Sequence, residues 1–281
     1  MSGGKLVKIL LKTRVSRYLE WKRNPNINLA IDGTYVLQNK EGSFFSKGGM
    51  KISKVPATPK EALSSNLMGL LEKRRCQSFL EVIQNFEEGN PKTYDKIQID
   101  KPSKLMFDKY GLEGNTIDFI GHAVGLYTDE SFMNLPAISV IRKIQLYMDS
   151  MGRYGNSPFI YPIYGLGGIP EGFSRISAVN GGTFMLNTDI EEILFEDGKV
   201  AGVKGKEGIA QCSMVICDPT YALKCGLKDR VRFVEKVVRC ICILDHPIPG
   251  TENIPSVQII VPQRQLKRKN GKDMLMQTFT L

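Results

Sequence analysis

Residues 58–86 read TPKEALSSNLMGLLEKRRCQSFLEVIQNF, and the contrast between this run and the text before it decides the fold. Leu63, Leu67, Leu70, Leu71, Phe79, Val82, Ile83 and Phe86 recur at three- and four-residue spacings, the period of one helix face, with Thr58 as N-cap and Pro59 at the first helical position. Upstream the texture differs. TYVLQ (34–38), GSFFS (42–46) and MKISKV (50–55) are short segments separated by glycines and an Asn-Lys-Glu break, so they read as strands joined by tight turns. The change falls at Pro56. Helical patterns then recur over residues 105–110, 116–127 and 136–151, with no convincing strand among them to about residue 154.

Outward from this block, KLVKILLKT (5–13) spaces its apolar residues as on a helix face, residues 18–21 look extended, and NPNIN (24–28) has the composition of a loop. On the other side, DIEEILFEDGKVAGV (189–203) holds two alternating apolar runs that meet at Asp197-Gly198, a strong hairpin signal. MVIC (214–217) and VVRCICIL (237–244) read as strands buried on both faces, with Cys240 and Cys242 as core filling, and VQIIV (257–261) as a further strand. The expected architecture is α+β: a sheet-based domain from residues 1–55 and 156–281, interrupted by an all-helical domain over residues 56–155.

Composition excludes several classes. The chain has 281 residues, 42% of them hydrophobic and 24% charged, which suits a globular protein of one large or two moderate domains. Its net charge of +9 favours acidic partners, yet the excess is spread out. Only residues 14–23 and RQLKRKNGK (264–272) concentrate it, and neither interleaves stacking aromatics, which argues against nucleic acid. The six cysteines form no CxxC pair, the only histidines are His122 and His246, and no ligand set has metal spacing, so no metal is expected. No apolar run reaches the ~18 residues of a membrane span, and MSGGKLVK lacks the apolar stretch of a signal peptide, so a reduced cytoplasmic setting is expected.

Two glycine clusters in YGLGGIPEGFSRISAVNGGTFML (164–186) invite a phosphate-loop reading, but the sixth position of GLGGIP is Pro170, and no hydrophobic strand leads into it. No nucleophile, base and orienter assemble anywhere in the chain, and His122 stands in a helical apolar pattern, as a packed structural histidine does. Asp118, one turn earlier, reads as a surface or capping partner. Neither a flavin nor a catalytic activity is expected.

The same stretch, followed by the DGKVAGVK hairpin (197–204) and VICDPTY (215–221), resembles the Rab GDP dissociation inhibitors and the related Rab escort proteins. Further resemblance lies in LVKILLKTRVSRYLEWK (6–22), SKGGMKISKVPATPKEALSSNLMGLLEKRR (46–75), IDFIGHAVGLY (117–127) and RYGNSPFIYPIYG (153–165). It implies a sheet domain of the FAD/NAD(P)-binding-like type with a helical insertion, in a non-enzymatic protein that needs no cofactor. Such a protein holds GDP-bound, geranylgeranylated Rab GTPases, slows their GDP release and moves them between cytoplasm and membranes in vesicle traffic. A flavin-dependent oxidoreductase on the same scaffold, or an escort protein, is the alternative. The match begins inside the family's length, lacking its N-terminal dinucleotide-binding-type segment, and stops before its C-terminal part, which implies a fragment or an imperfect gene model. It also shows an insertion near residues 24–46.

By resemblance, Arg175, Thr183 and Met185 contact the GTPase. Gly168 stands where family members commonly carry Glu, which removes a charged contact. Met185 as a strand core residue and Arg175 as a solvated charge is the competing reading. Arg153 and Ser157 match a loop linked to membrane delivery, where a plain connector is an equal reading. Residues 6–19 match the region holding the GTPase's C-terminal tail. The helical block is expected to take the prenyl chain, along Leu67, Leu70, Leu71, Phe79 and Val82 facing Phe119, Ala123 and Leu126, and along Ile144 and Met148; each of these also serves as ordinary core.

Overall fold

The structure is a computed structural model that describes residues 1–19, 33–39, 50–54, 68–151, 153, 158–160, 162, 165–234, 236, 238, 240, 244–246, 248–251, 256–261 and 274–279. Two compact units emerge: Met1–Ser174 with Leu244–Leu281, and Arg175–Ile243. This division does not follow the expected boundaries at residues 55 and 155.

In the first unit, α1 (Lys5–Lys12) leads into a 3-10 turn, Val15–Arg17, which buries Val15, so the expected extension at Tyr18 is instead the end of a tight turn. Strands β1 (Gly33–Asn39) and β2 (Met50–Lys54) pair antiparallel, near the expected positions. The expected strand at 42–46 and the expected cap at Thr58 lie outside the described residues. After β2 come α2 (Leu70–Gln84), α3 (Ser103–Lys109), α4 (Gly114–Asp118) running on into one π-helical turn (Phe119–Val124), and α5 (Ala137–Ser150). The sheet resumes with β6 (Ser256–Val261), parallel to β1, and β7 (Met274–Phe279), antiparallel to β6, giving the order β2-β1-β6-β7.

One core serves this unit. Phe79, Ile83, Phe107, Ile120, Phe132 and Ile144 are fully buried, and Ile260 of β6 belongs to the same cluster. Aromatic rings stiffen its centre: Phe132 sits 6.1 Å from Phe107, 5.3 Å from Tyr127 and 5.6 Å from His122, ring centre to ring centre. Edge-on and offset arrangements of this kind add attraction beyond area burial. Helices without a strong apolar face elsewhere are held here by this packing, since isolated helices of such length are marginal in water.

The second unit carries a three-stranded antiparallel sheet, β3 (Ile190–Glu196), β4 (Lys199–Gly205) and β5 (Gly208–Gln211), in that order. Asp197 and Gly198 both have positive φ, 49° and 74°, as a two-residue hairpin turn whose twist matches the strands requires. Asp218 caps the short helix α7 (Pro219–Lys224) by accepting the Thr220 N–H at 2.8 Å, with Pro219 at the first position. One strand expectation fails here. Residues 214–217 form no strand and Ile216 is 91% exposed. Most of 237–244, Cys242 included, lies outside the described residues; of the rest, Val238 and Cys240 are exposed, so Cys240 is not core filling. Short apolar runs do not by themselves specify burial, because a strand needs a partner edge and a covering layer.

Candidate functional site

The glycine-rich stretch builds a helix. Leu166 and Gly167 turn into α6 (Gly168–Val179), whose first turn accommodates Pro170 because the first helical N–H groups have no partner in any case. A Cβ on Gly172 would stand 2.9 Å from Val15 Cγ1, so the absence of a side chain lets the helix lie against the buried Val15 and Leu19. Gly168 is half-buried, with Leu19 as its neighbour.

The second glycine pair ends α6. Gly181, at φ 88°, donates to the Ala178 carbonyl at 3.1 Å, and Gly182 donates to the Ser177 carbonyl at 2.8 Å. This is the Schellman arrangement, which satisfies the last carbonyls of a helix and needs a left-handed residue just beyond it. A Cβ on Gly182 would meet Ser177 Oγ at 2.3 Å. Immediately after this cap the chain leaves the helix as an exposed run: Thr183 is exposed, and Phe184, Met185 and Leu186 are 51%, 59% and 87% exposed. Arg175, on α6, is exposed as well. Met185 is therefore no strand core residue. Phe184 and Leu186 extend the apolar run beyond the residues singled out in the sequence; their position directly after a helix-ending Gly-Gly was the available signal.

The remaining site residues are scattered by burial. Arg153 is exposed and donates Nε–H to the Asp149 carbonyl at 2.6 Å, while Ser157 lies outside the described residues. Among the residues expected along a prenyl path, Leu67 lies outside the described residues, and Leu70 and Leu71 point outward, 79% and 70% exposed. Phe79, Phe119, Ala123 and Ile144 are buried in the common core; Val82, Leu126 and Met148 pack against it partly exposed. The expected facing of Leu70 and Leu71 onto Phe119 and Ala123 is thus absent, because α2 turns Cys76, Phe79 and Ile83 inward instead. Burial, reinforced by the nearby Glu72 charge, pushes the Cys76 thiol up to about 12.

A polar pocket of about 400 Å³ opens at the start of α2, lined by Met68, Gly69, Glu72, Glu113, Gly114, Asn115 and Thr116. Within it Glu72 is buried and accepts the Glu113 N–H at 2.7 Å. His122 is 1% exposed, and its Nδ1 lies 2.9 Å from the Tyr127 carbonyl. Asp118, expected at the surface or as a cap, is instead 3% exposed, because the helix carries it into the interior beside His122. Among the described residues no helix is long and apolar enough to cross a membrane.

A scan against protein families matches residues 1–280 to GDP dissociation inhibitor. The chain is 46% identical over 280 residues to Rab GDP dissociation inhibitor beta of Rattus norvegicus, a match covering 99% of this chain and 58% of that relative. Among solved structures, that of a Rab GDI from Plasmodium falciparum matches with a TM-score of 0.86 at 44% identity, covering 99% of this chain and 60% of that one. The chain belongs to the GDP dissociation inhibitor family, and it spans about three fifths of the length of these relatives. An oxidoreductase from Methanosarcina mazei matches with a TM-score of 0.50 at 14% identity, over 100% of this chain and 65% of that one, a likeness of fold alone. The mixed helix-and-sheet architecture is thus common to an inhibitor and an oxidoreductase, in keeping with a FAD/NAD(P)-binding-like type.

Proposed function

We propose that this chain acts as a Rab GDP dissociation inhibitor, a regulator that works by binding. In this reading it holds GDP-bound, geranylgeranylated Rab GTPases, slows GDP release, and carries them through the cytoplasm with transient visits to membranes. The observation that carries the reading is the family match running from residue 1 to residue 280. Local geometry supports a binding platform beside α6: Arg175 offers a rigid fork of donors to acidic groups, and Met185, with Phe184 and Leu186, offers an adaptable apolar run. Thr183 adds a hydroxyl between them, and Gly168 takes no part as a charge. Arg153 and Ser157 serve membrane delivery, and residues 6–19 the GTPase's C-terminal tail.

The lipid is assigned to the helical block, read as an insertion in the sheet domain. A bilayer releases a prenyl chain only to an acceptor that buries similar apolar area, worth about 0.8 kcal/mol per CH2. Exposed Leu70 and Leu71 would form the mouth, and Val82, Leu126 and Met148 the edge of a path toward Phe79, Phe119, Ala123 and Ile144. That path requires the helices to separate when lipid enters.

The test uses an immobilised, GDP-loaded, geranylgeranylated Rab and the full chain in solution. Saturable binding is expected, weakened about tenfold or more in an Arg175→Ala, Met185→Ala double variant with unchanged melting temperature, as for interface anchors worth over ~1 kcal/mol each. No binding by the wild-type chain overturns the function; equal binding by both overturns the platform.

A further inference from the structure

We infer that Asp118, His122 and Glu130 form a binding site for a single divalent transition-metal ion of the Zn2+ class. One ligand atom of each, a carboxylate oxygen or an imidazole nitrogen, lies within 4.8 Å of the other two. Asp118 Oδ1, His122 Nε2 and Glu130 Oε1 are all withdrawn from solvent, although the rest of the Glu130 side chain is 43% exposed. His122 Nε2 and Glu130 Oε1 stand 3.5 Å apart. Two ligands bonded at 2.0–2.1 Å to a tetrahedral ion are about 3.4 Å apart, so this pair already has the required spacing, with the Asp118 ligand atom within 4.8 Å of both.

The frame orients the imidazole as a ligand. A carbonyl can only accept, so the contact between His122 Nδ1 and the Tyr127 oxygen at 2.9 Å places the ring proton on Nδ1 and turns Nε2 toward the two carboxylates. An imidazole held by a backbone carbonyl through its other nitrogen is the usual support of a metal-binding histidine. Reaching that contact demands an unusual backbone. Leu126 adopts φ 52°, and Tyr127 donates its own N–H back to the Gly121 carbonyl at 3.0 Å, closing the loop around the π-helical turn. Strained residues and single π-turns gather where a side chain must be aimed. Glu130 is fixed independently: Asp129 Oδ1 accepts the Ser131 N–H at 2.9 Å and caps the 3-10 turn Glu130–Asn134.

Donor chemistry selects the occupant. One imidazole with two carboxylates suits Zn2+ and its neighbours, with the fourth position left to water from the exposed side of Glu130.

The test takes the full chain with its thiols alkylated, stripped with chelator and desalted, and titrates ZnCl2 by calorimetry with Co2+ absorption as a probe of coordination geometry. One equivalent bound, a tetrahedral Co2+ spectrum and a raised melting temperature are expected. Glu130→Gln, at a side chain that reaches solvent, should keep the fold and lose at least tenfold in affinity, and Asp118→Asn should do the same. Absence of saturable binding by the wild-type chain, or binding undiminished in folded Glu130→Gln, overturns the site.

Discussion

Replacing Gly121 by alanine puts a single methyl group where the core has no room, and the geometry fixes the sign of the effect. Gly121 lies within the π-helical turn, where exchanging glycine for alanine would by helix propensity alone gain about 1 kcal/mol. The added Cβ, however, would stand 2.2 Å from Phe132 Cζ, 2.6 Å from Cε1 and 2.8 Å from Cε2. Carbon atoms pack at about 3.5–4.0 Å, so the ring must retreat by more than 1 Å. It cannot do so freely: Phe132 is fully buried between Phe107, Tyr127 and His122, and its backbone carbonyl accepts the Ser103 hydroxyl at 2.6 Å. Overpacking costs about 1–3 kcal/mol, and a ring held on three sides puts this case near the upper end, about 3 kcal/mol, which outweighs the propensity gain and leaves a net loss of about 2 kcal/mol. Urea unfolding of wild type and Gly121→Ala, read at constant slope, measures it. Trimming the obstacle supplies the control, since Phe132→Leu should itself destabilise but should then tolerate Gly121→Ala with much less further loss. Equal stability of wild type and Gly121→Ala, or strict additivity in the double variant, would refute the packing described for this turn.

Cys76 should resist iodoacetamide at pH 8–9, where the exposed Cys217 and Cys240 react; its raised folded pKa makes a stability contribution present below the unfolded value near 9 and lost as the pH climbs toward about 12, which alkaline melting curves can follow. Ser103→Ala should cost only about 1 kcal/mol in chemical unfolding, because the Phe132 carbonyl keeps the Leu135 N–H as a second donor at 3.2 Å. Gly198→Val should destabilise the β3–β4 hairpin by about 1 kcal/mol or more, since φ 74° suits glycine and penalises a branched side chain; hydrogen exchange at Leu194 and Val203 would report it.

Elements whose period and punctuation agree were legible in the sequence. The later part of the 58–86 run, the 105–110 and 136–151 helices and the Asp197-Gly198 hairpin all appear near their expected places. An apolar run without such punctuation misled: MVIC has strand composition, yet it finds no paired edge, while MLMQTF (274–279) pairs with β6 as β7. The exposed run at Phe184 to Leu186 needed the helix cap at Gly181 and Gly182 to be seen, since composition alone equally suits a core strand. Glu130 escaped notice, and Asp118 read as a surface or capping residue, for one geometric reason. They come together around His122 through a π-turn and a left-handed residue at Leu126, a path that leaves no fixed ligand spacing in the text.

Whether the chain restrains GDP-bound Rab proteins is read from the rate at which a fluorescent GDP analogue leaves a geranylgeranylated Rab. Addition of the chain in excess, with unlabelled GDP as chase, should slow release several-fold, and unprenylated Rab should respond less because the lipid contribution is missing. A release rate that stays the same with prenylated Rab at saturating concentrations of the folded chain would contradict the account.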